Sequence, residues 1–243
     1  MSALVIIPTY NEKENIQAIV GAVFALKQDF HVLIVDDGSP DGTAEIVRDL
    51  QRIFDQELHL LERAGKLGLG TAYIAGFRWG LERGYDYFFE MDADFSHNPQ
   101  DLPRLLATCR DEGADLAVGS RYCRGGKVEN WPLDRIILSY GASLYTRLIL
   151  WMPVADPTAG FICYKRAVLA AIDLDKIRFI GYAFQIEMKF AAYTLGFNVR
   201  ETPITFKDRE KGQSKMSLRI IREAMFGVLQ MRWRAIWHSY RLS

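Results

Sequence analysis

The sequence contains little cysteine and no surplus of charge of either sign. Three cysteines occur in 243 residues, at Cys109, Cys123 and Cys163, and 30 basic residues balance 30 acidic ones. Because the cysteines lack a metal-ligand spacing, we expect small buried thiols in a reducing compartment. The absence of net charge argues against nucleic acid as the main partner. We therefore expect a cytoplasmic protein that binds no nucleic acid.

Long apolar runs are also absent. No stretch reaches the roughly 18–20 uncharged apolar residues that a membrane-spanning helix needs. The first predicted strand begins at residue 3, which leaves no room for a signal peptide ahead of it. Apolar residues nevertheless make up 49% of the chain, enough for a full-sized core. We expect a globular chain that does not cross a bilayer.

The first half of the chain alternates short apolar runs with amphipathic stretches. The predicted strands cover residues 3–7, 31–35, 58–61, 85–91 and 116–118. The predicted helices cover residues 15–26, 43–54, 71–83 and 102–110. This alternation indicates βαβ units, and therefore a mostly parallel sheet with helices on both faces.

The pattern changes after residue 121. We predict a helix over 132–152, a strand over 160–164, a helix over 182–195 and an extended segment over 197–206. A carboxylate on a helix face, such as Glu187, is expected to be solvated. We find no repeat and no low-complexity linker. The prediction is one domain over residues 1–216 with a helical extension over residues 217–243.

Two carboxylates, Asp92 and Asp94, follow the predicted strand 85–91. Side chains at positions i and i+2 of an extended segment point to the same side. Both carboxylates are therefore expected at the carboxyl end of a strand, where open α/β sheets bind ligands. Paired hard oxygen ligands suit Mg²⁺ or Mn²⁺, which also bind substrate phosphates.

Three further polar loops follow predicted strands. They read Pro-Thr-Tyr-Asn-Glu at 8–12, Asp-Asp-Gly-Ser-Pro-Asp-Gly-Thr at 36–43 and Lys-Leu-Gly-Leu-Gly at 66–70. A doubly wound sheet brings such loops together at one rim. The four loops together predict one binding site rather than four separate turns.

These loops resemble the motifs of family 2 glycosyltransferases of the GT-A type. The stretches at 66–73, 92–97, 119–122, 208–209 and 212–215 narrow the resemblance to dolichol- and polyprenol-phosphate mannose synthases without membrane-spanning helices. The resemblance extends from residue 4 to about residue 217. It implies a GT-A, Rossmann-like α/β fold, a mostly parallel sheet flanked by helices, followed by C-terminal amphipathic helices.

The resemblance also implies a donor, an acceptor and a metal. The donor is GDP-mannose, the acceptor is a dolichyl or polyprenyl phosphate, and the cofactor is Mg²⁺ or Mn²⁺. The nucleotide sugar is expected to contact Pro8, Tyr10, Glu12, Val35, Asp37, Asp92, Ala93, Asp94, Arg209 and Lys215. The metal is expected at Asp92, Asp94 and Ser96, with His97 supporting the site.

Arginine and lysine supply the cationic half of the implied site. Arg121 and Arg135 are expected to bind the acceptor phosphate. The residues implied to act in catalysis are Asp94, Arg121, Arg209 and Lys215. Guanidinium groups bind phosphate oxygens in bidentate fashion, whereas lysine acts as a point charge. A phosphate monoester is already ionised, so no strong base is needed, and in-line attack would invert the anomeric centre to give a β-mannosyl phosphate.

Two stretches have the composition of helices that lie at a membrane surface. The predicted helix 132–152 mixes apolar side chains with arginine, and residues 219–241 combine five arginines with Trp233 and Trp237. Arginine with tryptophan on an amphipathic helix is typical of an interfacial element. We expect peripheral attachment to the cytoplasmic face of a membrane, and a membrane-anchored partner protein could use the same surface.

Two other functions remain open at this stage. The donor could be UDP-glucose, which keeps the chemistry and changes the sugar. The chain could also be a silent nucleotide-sugar-binding scaffold for a membrane partner. The presence of Asp92, Asp94, Arg209 and Lys215 argues against the silent scaffold, because a dead site is free to lose them.

Overall fold

The computed structural model describes residues 1–208, 218–237 and 239–242. Its strands are β1 Ala3–Thr9, β2 Phe30–Asp36, β3 Leu58–Glu62, β4 Tyr87–Glu90, β5 Leu116–Ser120, β6 Lys127–Glu129, β7 Ile162–Lys165, β8 Val199–Pro203 and β9 Thr205–Lys207. Its helices are α1 Ile16–Phe24, α2 Thr43–Gln51, α3 Leu69–Glu82, α4 Leu102–Arg110, α5 Leu133–Leu150, α6 Arg166–Ala171, α7 Ala183–Thr194 and α8 Leu218–Trp237.

Within the described residues, the central sheet has seven strands in the order β3-β2-β1-β4-β7-β5-β8. Every neighbouring pair is parallel except the two pairs that β7 makes, with β4 and with β5. The predicted mostly parallel sheet is confirmed, but the antiparallel direction of β7 was not predicted. Because β1, β2, β4 and β5 run in the same direction, their carboxyl ends meet at one rim of the sheet.

Two apolar cores cover the two faces of the sheet. Leu4 and Ile6 of β1 belong to the core that includes residues of α3 and α7. Val5 and Ile7 belong to the core that includes residues of α1, α2 and α4. All four side chains are fully buried. A strand buried on both faces is continuously apolar, which explains why its sequence shows no alternation.

The second half of the chain differs from the prediction in three places. The extended segment predicted over 197–206 is two strands, and β9 forms a separate two-stranded sheet with β6. Ile204 separates them, its N–H bonding to Ser120 O (3.0 Å) and its carbonyl accepting Lys127 N–H (2.9 Å). Neither β6 nor α6 was predicted, because both are too short to show a period.

Helix α8 packs against α5 and α7. The prediction that Glu187 is solvated was wrong, because α7 is covered and this side chain is 0% exposed. Its carboxylate accepts hydrogen bonds from Arg234 Nη1 and Tyr240 Oη, both at 3.2 Å. It also accepts the backbone N–H groups of Arg178 (2.8 Å) and Phe179 (3.0 Å). The division into residues 1–216 and 217–243 stays a prediction.

Candidate functional site

The loops after β1 and β2 are joined by a buried carboxylate. Asp36 accepts hydrogen bonds from Thr9 Oγ1 (2.8 Å), Ser39 N (2.8 Å) and Ser39 Oγ (2.6 Å). Further along, Ser39 Oγ accepts the N–H of Asn11, whose φ of 60° lies in the left-handed region that asparagine tolerates. Asp36 therefore fixes the shape of the two loops and is not available to a ligand.

The nucleotide residues named from the sequence lie along this pair of loops. Pro8 and Val35 are direct neighbours in the register of β1 and β2. The N–H of Glu12 donates to Thr43 Oγ1 (3.1 Å) at the start of α2. Tyr10 lies below Lys66, whose Nζ is 4.8 Å from the ring centroid. The structure thus brings the first three predicted loops together.

Asp37 is held by an arginine that the sequence analysis did not select. Arg63 approaches Asp37 Oδ1 through Nε (2.7 Å) and Nη2 (2.6 Å), and its Nη1 donates to Thr71 Oγ1 (2.8 Å). Arg63 follows β3 directly, so the rule that polar residues at strand ends collect at one rim could have found it. The pair joins the end of β2 to the start of α3.

Asp92 and Asp94 project at the centre of the rim, just after β4. The Asp92 side chain is 40% exposed, whereas Asp94 is buried and accepts the N–H of Ser96 on Oδ1 (3.1 Å). Phe95, between Asp94 and Ser96, has a φ of 60°, which turns the chain back sharply. Ala93 and Ser96 are also buried. The contact that Ser96 makes with Asp94 uses its backbone rather than its hydroxyl group.

His97 supports the carboxylate pair from behind. Its Nδ1 accepts the N–H of Asp92 (3.1 Å), and its ring stacks on Phe161 with 4.9 Å between centroids. Burial lowers the pKa of His97 to about 4, so the ring is neutral near pH 7 and Nδ1 remains an acceptor. The imidazole thus fixes the backbone of Asp92 without adding positive charge.

Two ionisable side chains near Asp92 and Asp94, Glu90 and Lys189, are fully buried. Tyr164 Oη donates to Glu90 Oε1 (2.9 Å), and Lys189 Nζ donates to the carbonyl of Ala159 (2.6 Å). Burial raises the pKa of Glu90 to about 7 and lowers that of Lys189 to about 8. Burial, together with the carboxylates of Asp92, Glu90 and Asp94, raises the pKa of the Tyr73 hydroxyl well above its usual value. Sequence reasoning missed this layer because its members sit inside apolar strands and helices.

The carboxylate pair fits a hard divalent cation that a substrate also binds. In the described part of the chain no three histidine, cysteine, aspartate or glutamate side chains are grouped as a complete metal site. Asp92 and Asp94 offer carboxylate oxygens only, the donor type that Mg²⁺ and Mn²⁺ prefer. The remaining positions around such an ion are normally filled by water and phosphate oxygens.

Arg121 follows β5 at the same rim and is rigidly held. Its Nε donates to Asp156 Oδ2 and its Nη2 to Asp156 Oδ1, both at 2.7 Å, and Nη2 also donates to Thr158 Oγ1 (2.7 Å). Asp156 is 0% exposed and its backbone N–H donates to Glu201. Nothing in the sequence around Asp156 marked it, because it pairs with a residue 35 positions away.

Arg135 and Arg121 both lie near the indole ring of Trp131. The guanidinium carbon of Arg135 is 3.9 Å from the Trp131 ring centroid, and Nη1 of Arg135 donates to Asp208 Oδ2 (2.8 Å). The guanidinium carbon of Arg121 is 5.7 Å from the same ring. The structure therefore brings the two arginines named from the sequence together. Arg209 and Lys215 lie outside the described residues.

Exposed apolar side chains of α5 and α8 form a surface that we call the α5–α8 face. Arg135 lies near the start of α5. Exposed apolar side chains from α5 and the residue after it are Leu133, Ile137, Leu138, Tyr140, Leu144, Leu148 and Trp151. Those from α8 are Met225, Phe226, Leu229, Trp233 and Ile236. Tyr145 Oη donates to Met225 O (3.1 Å), and the Arg232 guanidinium lies 4.7 Å from the Trp151 ring centroid. Among the described residues, no helix combines the length and apolar character that a transmembrane span requires.

Comparison with known protein families shows that residues 4–173 match the family described as "Glycosyl transferase family 2". The chain is 52% identical over 227 residues to a polyprenol monophosphomannose synthase of Mycolicibacterium smegmatis, covering 93% of this chain and 85% of that protein. It is 48% identical over 241 residues to an undecaprenyl-phosphate mannosyltransferase of Micrococcus luteus, covering 99% and 98%.

Comparison with solved structures identifies the same fold at much lower sequence identity. Glucosyl-3-phosphoglycerate synthase from Mycobacterium tuberculosis, in complex with Mn²⁺, uridine diphosphate and phosphoglyceric acid, matches with a TM-score of 0.66. The match covers 95% of this chain and 78% of that one, with 18% sequence identity. At this identity the likeness concerns the fold alone.

Proposed function

The chain belongs to glycosyl transferase family 2, and we propose that it transfers mannose from GDP-mannose to a polyprenyl phosphate at a membrane surface. The family and the GT-A fold expected from the motifs are confirmed. The chain is therefore a glycosyltransferase. The mannosyl group and the polyprenyl lipid are supported by the two relatives at 48–52% identity, whose names both specify them, and the GDP carrier is supported by the resemblance of the motifs.

One observation carries the proposal beyond the names of relatives. The carboxylate pair Asp92 and Asp94 and the arginine pair Arg121 and Arg135 occupy the same rim of the sheet. The first pair suits a nucleoside diphosphate with its cation, and the second suits a phosphate monoester. A site with both halves can bring an anionic acceptor to an anionic donor.

The donor half would bind through the loops after β1, β2 and β4. Glu12 and Asp37 can accept hydrogen bonds from base and ribose groups, and Tyr10 offers a ring for stacking. Arg63 holds Asp37 in place for this task. Pro8, Val35 and Ala93 would shape the pocket by close contact. Arg209 and Lys215, which lie outside the described residues, are proposed to bind the diphosphate.

Asp92 and Asp94 would hold Mg²⁺ or Mn²⁺, with Ser96 kept as a proposed third ligand. When bound, such a cation neutralises the charge that develops on the leaving diphosphate. The chain's own contribution is to fix these carboxylates. His97 holds the backbone of Asp92, and the N–H of Ser96 holds Asp94. The fixed geometry places negative charge at one point before any ligand arrives.

The acceptor half requires orientation rather than a general base. A phosphate monoester carries its own nucleophilic oxygen, so the arginines only need to hold it in line with the anomeric carbon. Arg121 is locked by Asp156, and Arg135 begins the helix that carries the α5–α8 face. With this face on the membrane, the phosphate would reach the arginines while the polyprenyl chain stays in lipid.

The alternatives differ in what supports them. UDP-glucose as donor rests on a structural neighbour at 18% identity, which shows the fold alone. A membrane-anchored partner protein could cover the α5–α8 face in place of lipid. The silent scaffold conflicts with a rim on which all described residues proposed for donor and acceptor come together. GDP-mannose with a polyprenyl phosphate therefore remains the proposal.

The test offers radiolabelled GDP-mannose and UDP-glucose to the purified protein with a short polyprenyl phosphate. We expect label from GDP-mannose in the organic phase, lost with EDTA and restored by Mg²⁺ or Mn²⁺. Asp94→Asn should lower transfer by at least about a hundredfold, because it removes a charge and leaves the volume. Asp49→Asn, at an exposed helix position, should retain activity.

Two results would contradict the proposal. Preference for UDP-glucose would change the donor. Tight GDP-mannose binding without transfer to any polyprenyl phosphate would favour the scaffold. Full activity in EDTA would be consistent with the proposed transfer but would contradict the proposed role of the metal.

A further inference from the structure

Trp131 lies close to both arginines proposed to bind the acceptor phosphate. Its ring centroid is 3.9 Å from the Arg135 guanidinium carbon and 5.7 Å from that of Arg121. Asn130, just before it, has a φ of 63°, so the backbone turns sharply at this point. A guanidinium above an aromatic face is attracted by the ring's quadrupole, and this fixes its orientation.

The indole N–H is the second observation. Trp131 Nε1 is shielded from solvent and has no hydrogen-bond partner within the described part of the chain. A buried donor without a partner is rare in folded proteins and needs an explanation. Here the donor belongs to a ring that both arginines approach. An anionic oxygen that enters the site beside these arginines would satisfy it.

Both arginines already carry an ion pair. Arg121 is bonded to Asp156 through Nε and Nη2, and Arg135 is bonded to Asp208 through Nη1. Each cation is therefore partly neutralised before an acceptor arrives. The indole N–H of the ring near both arginines is a third, uncharged donor, and a hydrogen bond from it adds no charge. This makes the indole N–H useful where charge alone is already balanced.

The ring is also connected to the carboxylate half of the site. Phe206 meets Trp131 edge-on, with 5.4 Å between centroids, and meets His97 edge-on at 5.6 Å. His97 in turn accepts the N–H of Asp92. Trp131 is thus packed in a continuous row of rings that begins behind the carboxylate pair, so its position is fixed by the same core.

We propose that Trp131 is a further residue of the acceptor site, holding the guanidinium groups of Arg121 and Arg135 and donating its indole N–H to the acceptor phosphate. The inference rests on the proposed function. Two substitutions separate its two parts. Trp131→Phe keeps an aromatic face and removes the donor, whereas Trp131→Leu removes both.

The experiment measures steady-state kinetics of mannosyl transfer for both variants. Losing the donor should raise the KM for polyprenyl phosphate about tenfold in Trp131→Phe. Losing the ring as well should raise it about a hundredfold in Trp131→Leu. The KM for GDP-mannose should stay within about twofold of wild type, and a role confined to folding would not produce this split.

A matched control lies at the opposite edge of the sheet. Trp79 also carries a stacked guanidinium, with the Arg83 guanidinium carbon 4.0 Å from the ring centroid. Trp79→Phe and Trp79→Leu should leave both KM values near wild type. Thermal unfolding of all four variants shows whether a kinetic change reflects lost structure.

Calorimetric binding of a short-chain polyprenyl phosphate tests the same contact without turnover. Weaker binding by Trp131→Phe supports the inference even if the wild type transfers no mannose, a result that would defeat only the proposed function. If both Trp131 variants keep the wild-type KM for polyprenyl phosphate and bind it as tightly as the wild type does, the inference is overturned. The proposed transfer would still stand. A parallel rise in both KM values would also overturn the inference, because it indicates a general structural role.

Discussion

At the scale of single residues, the carboxylates of this protein divide into two groups. Asp36, Asp156 and Glu187 are buried and each accepts at least three hydrogen bonds, so they hold loops and helices in place. Asp92 is partly exposed at the rim. Buried carboxylates that are fully paired stabilise one arrangement of their neighbours. A partly exposed carboxylate at the rim can be approached by a ligand.

Glu90 is also buried, but unlike these three carboxylates it changes charge near neutral pH. Burial raises its pKa from 4.5 to about 7. The folded state therefore binds more protons than the unfolded state between these values, and stability falls as pH rises through this window. We expect the free energy of unfolding of wild type, relative to Glu90→Gln, to fall by about 3 kcal/mol from pH 4.5 to 7.

Urea unfolding of both proteins at several pH values measures this difference. Glu112→Gln removes an exposed carboxylate and should follow the wild-type curve. A constant difference between wild type and Glu90→Gln across the window would show that Glu90 keeps an ordinary pKa in the folded protein.

At the scale of elements, residues 178–180 connect the donor side to helix α8. Glu187 of α7 accepts the N–H groups of Arg178 and Phe179. The carbonyl of Ile180 accepts the N–H of Gly70 at the start of α3 (2.8 Å). On the other side, Gly227 of α8 packs closely over the Phe179 ring. A short segment thus sets the distance between α3, α7 and α8.

This packing predicts opposite effects for two glycine substitutions in helices. A Cβ on Gly227 would lie 2.8 Å from Phe179 Cε1, closer than van der Waals contact allows. We expect Gly227→Ala to destabilise the fold by about 1–2 kcal/mol, because the ring or the helix must shift. Gly141 of α5 has nothing within 4 Å of the corresponding position.

Gly141→Ala should therefore stabilise the fold by about 0.5–1 kcal/mol, the ordinary gain in a helix interior. Chemical denaturation of both variants gives the two values. Equal effects of the two substitutions would mean that α8 does not depend on its contact with Phe179.

At the scale of the whole molecule, the net charge is zero, but exposed apolar side chains are concentrated on one face of the surface. The α5–α8 face gathers many exposed apolar side chains beside the start of α5, where Arg135 lies. Large exposed apolar patches on a protein mark a surface that binds lipid or another protein. Because α5 and α8 pack on each other, their exposed side chains act as one surface.

Two strongly exposed apolar residues of α8 give a test of that surface. Phe226 and Trp233 are 69% and 67% exposed. We expect wild type to sediment with vesicles of phosphatidylglycerol and phosphatidylcholine, less so at high salt because arginines contribute. The double variant Phe226→Ser, Trp233→Ser should bind at least about tenfold more weakly, since two apolar side chains no longer enter the bilayer surface.

Ile53→Ser is the control, because Ile53 is 72% exposed and lies just after α2, away from this face. It should sediment like wild type. Equal sedimentation of all three proteins would remove lipid from the role proposed for the α5–α8 face and leave a partner protein as its occupant.

The sequence by itself determined the features of this protein that depend only on residues close together along the chain. The period of apolar residues gave the strands and helices of the first half, and strand ends gave the positions of Asp37 and Asp92. Both follow from neighbours within a few positions along the chain, because strand and helix geometry repeats every two or 3.6 residues. The family also followed from short motifs.

The tertiary structure alone decided which distant groups meet. Arg121 pairs with Asp156 across 35 positions, and Arg234 with Glu187 across 47. Trp131 has no local signal that distinguishes it from any apolar residue after a turn, yet its ring lies close to two arginines. Whether a charged or polar side chain is solvated, paired or offered to a ligand depends on what covers it. That cover comes from elements far along the chain, so the sequence pattern around the residue does not contain it.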